Sequence, residues 1–155
     1  MIKALVIAAL LALAAVMAHV RLAPTDPAQW HVDPRAIAKP SKPNHWLIRP
    51  AGGDARPPHY RAEVATLVAA VEEAAARMGD MERIAGNTAS GHLTYISRTR
   101  WMGYPDFTTI RVYSTDEGAS LAAFSRARFG HSDMGFNRRR LDRMLAHIDE
   151  IMADA

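Results

Sequence analysis

Residues 4–20, ALVIAALLALAAVMAHV, hold no Asp, Glu, Lys or Arg, while Lys3 precedes them and Arg21 follows. At the helical rise this run is about 26 Å long, near the lower limit for crossing the hydrocarbon core of a bilayer. A helix that is apolar on every side gives a small domain no solvent face, so a buried core helix is the poorer reading. Two readings stay open. In one the run is a signal anchor, with Lys3 and the amino terminus in the cytoplasm and Arg21 at the far interface. In the other it is a removable signal peptide, because Val16-Met17-Ala18 sets small residues at the spacing used for processing before His19. The run exceeds a usual signal core of about 7–15 residues, which favours the anchor. Residues 1–21 are therefore read as a membrane anchor or signal segment.

Residues 22–58 are read as a proline-rich tether. They carry Pro24, Pro27, Pro34, Pro40, Pro43, Pro50, Pro57 and Pro58, leaving Pro105 as the one proline further on. Each fixes its own φ, removes an N–H donor and biases the residue before it toward extended backbone, which excludes long helices and central strands. Trp30-His31-Val32 and Trp46-Leu47-Ile48 are too apolar for a free linker and are expected to dock on the domain or at the membrane interface. His31 and Asp33 lack a third ligand nearby, so ordinary loop chemistry is expected there rather than metal binding.

The remainder, residues 59–155, has the size of a single domain. With 49% hydrophobic and 23% charged residues, the chain is neither disordered nor polytopic. Absence of cysteine removes disulfides, thiolate metal sites, cysteine nucleophiles and a lipid-attachment cysteine. Val64, Leu67, Val68, Val71, Ala74 and Ala75 recur at spacings of three and four, which predicts an amphipathic helix within 60–78 that stops at Gly79. The period then shifts toward two. Strands are predicted at 81–85, 92–101, 107–114 and 120–129, separated by turns at Gly86-Asn87, Gly103-Tyr104-Pro105-Asp106 and 115–118. Short connections favour antiparallel neighbours. A last helix, capped at Asn137, places Leu141, Met144, Leu145, Ile148, Ile151 and Met152 on one stripe. The expected fold class is α+β: two layers, a four-stranded antiparallel meander with two helices on one face.

Alternation puts Arg98 and Arg100 on one side of the second strand, and Arg126 and Arg128 on one side of the fourth, with Arg111 between them. The following loop adds Asp133, Asn137, Arg138, Arg139 and Arg140. An arginine-rich surface is expected at one end of the sheet, with Asp106 and Asp133 as counter-charges. Guanidinium makes forked contacts with phosphate or carboxylate, so such a surface suits an anionic ligand. The alternative is that Arg–Asp pairs pin the loops to the last helix and bind nothing. Net charge is +3, too small an excess to indicate nucleic acid. The sequence holds no Gly-x-Ser-x-Gly elbow, zinc-helix motif, phosphate-cradling loop or dinucleotide fingerprint, and no cofactor or metal is expected. His92 and His131, with Asp133, suggest acid–base work only if the fold brings them together, and ordinary core or surface histidines are the expectation.

Ser97-Arg98-Thr99-Arg100, Gly103-Tyr104-Pro105-Asp106 and the run from Ser125 through Gly130, Asp133, Gly135 and Asn137 to Leu141 resemble the signature of a bacterial family, domain of unknown function 1499. Its members carry Ser-x-Ser-Arg-x-Gly-x-x-Asp-x-Gly-x-Asn-x-x-Arg running into the last helix. The segment RLAPTDPAQWHVDP is similar to the one that follows the N-terminal helix in anchored members. Ser125 stands at the first motif serine and the second is replaced, and the family supplies no activity or catalytic set. The expectation is a single-pass protein of a bacterial inner membrane whose soluble domain lies in the periplasm. That domain is read as a binding or structural module whose Arg/Asp/Asn end engages an anionic lipid, cell-wall phosphate or envelope protein. The alternative is an enzyme using His131, Asp133 or Asp106 as acid or base.

Overall fold

A computed structural model describes residues 1–154. Along the chain lie α1 Ile2–Leu22, α2 Pro27–Trp30, β1 His45–Ile48, β2 His59–Tyr60, α3 Val64–Met78, β3 Glu82–Asn87, β4 His92–Arg98, β5 Pro105–Thr115, β6 Gly118–Ala127 and α4 Phe136–Ala153. The architecture is α+β with an open antiparallel sheet and an apolar N-terminal helix. Strands β3 to β6 form the expected meander, but the sheet has six strands rather than four. β1 and β2 both pair with the outer side of β6, with Leu47 opposite Phe124 and His59 opposite Ser120. Prolines flank these two short strands and confine them to the edge, where a missing N–H does least harm.

Period-two alternation sorts the sheet residues onto two faces. Leu93, Tyr95, Ile110, Val112, Leu121 and Ala123 face the helices and join Leu67, Val68, Val71, Leu141, Met144 and Ile148 in one core. The stripes read from the sequence are the buried ones, and α3 ends at Gly79 with φ of 75°. Full burial of each large aliphatic side chain stabilises the fold by roughly 1.5–3 kcal/mol.

The second face is not left to solvent. Residues 26–37 cross it as a strap, starting from the single turn α2, where the Asp26 carboxylate accepts the Ala28 N–H. The Trp30 ring lies flat on Phe107 at 3.7 Å between centroids, and His31 stacks on His92 at 3.7 Å. The Trp30 carbonyl accepts from Thr109 Oγ1 and Arg126 Nη2, both at 2.9 Å, and the Val32 carbonyl accepts from His92 Nε2 at 3.1 Å. A β-bulge between Arg83 and Ala85 brings Gly86 (φ 85°) beneath His31, where a Cβ would strike the His92 carbonyl. Trp30 thus docks on the domain, as does Trp46, which packs from β1 against the helix-side core.

Candidate functional site

The chemistry-bearing residues gather where β4 ends, β5 begins and β6 ends. Beyond β4, residues 99–104 close a tight loop in which Thr99 N–H donates to the Tyr104 carbonyl at 3.0 Å and Tyr104 N–H to Thr99 Oγ1 at 3.0 Å. Beyond β6, residues 128–135 lead into α4. The Asp133 carboxylate accepts from Gly135 N–H at 3.0 Å, Asn137 N–H at 2.8 Å and Asn137 Nδ2 at 2.7 Å. Two of the helix's orphan donors are answered from before its start. Gly135, not Asn137, is therefore the N-cap, and Asn137 lies inside the first turn, fully buried.

Asn137 ties the first turn of α4 to β6 and to the chain just before β1. Its Oδ1 accepts from Ser125 Oγ at 2.7 Å and Arg140 Nη1 at 3.2 Å, and its Nδ2 donates to the Asn44 carbonyl at 3.2 Å. Thr108 and Ser125 share a hydrogen bond of 2.9 Å beside it. Arg140 also reaches Asp106, with Nη1 at 3.0 Å from Oδ2. Burial pushes the Asp106 carboxyl above its usual range, and the Arg140 guanidinium pulls it part of the way back. Asp106, Asp133 and Asn137 are thus brought together as a closed network that holds the first turn of α4 to the sheet.

Between the loop 99–104 and α4 lies a cleft of about 750 Å³. Arg98, Arg100, Arg139, Arg140 and Arg143 line it, with Trp101, Tyr104 and Phe136 between them and Asp80 as its acid. An adjoining hollow of about 250 Å³ shares Thr99, Tyr104 and Phe136 with it and extends to Asp106, Asp133 and Met134. Arg98 Nη1 donates to the Gly103 carbonyl at 3.2 Å, Arg100 lies 5.7 Å from the Trp101 ring centre, and Arg139 lies 4.6 Å from that of Phe136. Among the described residues no carboxylate is within ion-pair distance of Arg98, Arg100, Arg139 or Arg143.

The other predicted residues stand apart from this cleft. Arg126 is clamped between Trp30 and Phe124, 5.0 Å and 4.5 Å from their ring centres, and burial pushes its guanidinium down to about 10, still charged at neutral pH. Arg128 donates to the Pro24 carbonyl at 3.0 Å. Arg126 holds the strap and Arg128 the chain just before it, on the face opposite the network of Asp106. Arg138 lies over Trp46 and pairs with Asp142 at 3.5 Å. Arg111 is not between the other arginines: it pairs with His92, toward the far end of the sheet. His92 likewise does not meet His131, which is exposed in the loop after β6, and its partner is His31. Asp33 gives its carboxylate to Arg35 at 2.8 Å.

Sequence reasoning placed Arg140 in the arginine-rich end but missed Arg143, Trp101, Tyr104 and Phe136 as cleft residues. One signal was present: Phe136, Arg139, Arg140 and Arg143 recur at spacings of three, one and three, which is one helical face.

The same end receives α1. Arg21 Nη2 donates to the Trp101 carbonyl at 2.8 Å, and its side chain lies over Gly103 (φ 71°), where a Cβ would come within 2.7 Å of Arg21 Cγ. Only glycine suits both the backbone conformation and that approach. α1 is long and apolar enough to cross a membrane, a property that anchors and signal sequences share. A search of curated proteins finds none that matches this chain. The family model described as "Protein of unknown function (DUF1499)" matches residues 20–148, which take in the strap, the sheet and the cleft, and the chain belongs to that family.

Proposed function

We propose that this protein is a membrane-tethered binding module whose cleft takes up an anionic ligand, phosphate or carboxylate, through Arg98, Arg100, Arg139 and Arg143. The observation that carries this reading is four arginines around one cleft, none of them, among the described residues, within ion-pair distance of a carboxylate, with Asp80 as the one acid in the lining. Unpaired guanidinium groups over aromatic faces and low-dielectric walls attract anions more strongly than they would in open water. Asp106, Asp133 and Asn137 act as the frame that positions α4, and Arg126, Arg128 and Arg138 as anchors for the strap and β1. Binding is favoured over catalysis because Asp106 and Asp133 already have internal partners.

Residues 1–21 are the membrane segment in this reading, and residues 22–58 connect it to the body formed with 59–155. Placement as a single-pass protein of a bacterial inner membrane, body in the periplasm, rests on Lys3 before the apolar run and the polar chain after it. A reporter active only outside the cytoplasm, joined to the C-terminus, should be active; inactivity there overturns the placement.

The binding test is calorimetric titration of the full chain, in nanodiscs of phosphatidylcholine, with inorganic pyrophosphate. Saturable binding that weakens with salt is expected, and Arg100→Ala with Arg139→Ala should lower affinity at least about tenfold. Absence of binding, or unchanged affinity in the double variant, overturns the proposal.

A further inference from the structure

We infer that the cleft end of the body lies against the bilayer that α1 enters, with Trp101, Met134 and Phe136 inserted at its surface and the adjacent arginines on anionic lipid headgroups. The inference rests on the proposed anion-binding cleft and names its occupant as the lipid surface itself.

The large apolar side chains that stand exposed among the described residues fall into two groups. One belongs to Met1 and α1; the other is Trp101, Met134 and Phe136, exposed by 79%, 77% and 51%. All three line the cleft or its adjoining hollow. Soluble surfaces scatter such residues singly, so their confinement to one end marks a contact surface. Met134 adds a second sign. It holds φ of 51°, a left-handed conformation unfavourable for a side chain of its size, while its sulfur arm projects outward and stabilises nothing in the core.

What covers this patch follows from the chain's connection. Leu22, the last residue of α1, is 79% exposed, and its neighbour Arg21 is hydrogen-bonded to Trp101 itself. Arg128 fixes the next residues through the Pro24 carbonyl. The patch therefore stands beside the point where α1 leaves the membrane, with no free linker between them. Its chemistry is that of a headgroup layer: aromatic side chains at the boundary, arginines reaching phosphates, apolar tips below.

The chain has no cysteine, so single cysteines can be placed and spin-labelled without removing native ones. The experiment uses the full chain in nanodiscs of phosphatidylcholine alone or mixed with phosphatidylglycerol. Labels are placed by Trp101→Cys, Met134→Cys and Phe136→Cys, and by Glu117→Cys in the turn at the opposite end of the sheet. Relative accessibility to oxygen and to a water-soluble nickel complex is read for each. In discs with phosphatidylglycerol the first three labels should favour oxygen severalfold over the label at 117, and in phosphatidylcholine this preference should shrink. Labels at 101, 134 and 136 as water-exposed as that at 117 in anionic discs overturn the docking. Equal insertion in both lipids overturns the assignment of the arginines to headgroups. Pyrophosphate titration of the unlabelled parent chain in phosphatidylcholine discs separates the two readings: binding by the parent together with water-exposed labels in anionic discs sinks docking alone, whereas absence of binding by the parent sinks the anion-binding cleft.

Discussion

Asp106 and Arg140 meet with 6% and 10% of their side chains exposed, so each is the other's main compensation for lost water. Removing one partner of such a pair leaves a buried charge, and Arg140→Ala is expected to cost about 3–5 kcal/mol of stability. The sign of its pH dependence follows from the carboxyl. Burial raises Asp106 above 3.8, so the folded state holds this proton to higher pH than the unfolded chain, and its contribution falls as pH rises through that window. Without Arg140 the opposing pull disappears and the carboxyl rises further. The deficit of Arg140→Ala, read from denaturant midpoints, should therefore be larger at about pH 7 than at about pH 4. An equal deficit at both would mean that Asp106 does not titrate against Arg140. Replacing both partners by Asn and Met removes the orphaned charge and should recover much of the loss.

At the scale of elements, what the sequence revealed depended on how local the cause was. The meander and the stripes of α3 and α4 were legible because alternation, glycine punctuation and helical spacing act within a few residues. β1 and β2 were not, because their pairing partner is β6, some seventy residues further on, and their four and two residues sit among prolines. For the site, the arginine-rich end was legible. Its division into a cleft, a buried network and a strap clamp was not, since the register sets Asp106 opposite Ala127 and Phe107 opposite Arg126, which turns Asp106 and Arg126 to opposite faces. The strap itself was visible only as misplaced tryptophan. It also carries a titratable contact: burial lowers both His31 and His92, and His92 and Arg111 add repulsion against a charge on His31, while Asp33 partly offsets this at His92. Bases lowered in the fold are protonated more readily in the unfolded chain, so their contribution is complete above about 6.5 and declines as pH falls below it. Protection factors against hydrogen exchange at the amides of His31 and Val32 should fall between about pH 7 and about pH 5, and less so in His31→Phe. Identical pH responses in parent and variant would remove the histidine stack as the cause.

At the scale of the whole molecule, two restraints would hold the body to the bilayer: the short pinned exit from α1 and the attraction of arginines to anionic lipid. They differ in range and in response to salt. The exit acts as a tether that keeps the patch at high effective concentration whatever the ionic strength. The attraction decays over a Debye length of about 10 Å at 0.1 M salt and about 3 Å at 1 M. Ten Gly/Ser residues inserted between Ala23 and Pro24 would add a flexible span of about 18 Å, beyond the reach of screened attraction in strong salt. Folding should change little, because the insertion lengthens a surface connection while leaving the Trp30 strap and the sheet intact. With the label at 101 in anionic discs, the lengthened chain should stay inserted at low salt and become water-exposed near 1 M, whereas the parent, held by the pinned exit, keeps a reduced oxygen preference near 1 M, as it does in phosphatidylcholine. If the lengthened chain behaves as the parent at both salts, apolar insertion alone holds the patch down, and the contacts of Arg21 and Arg128 have no part in its orientation.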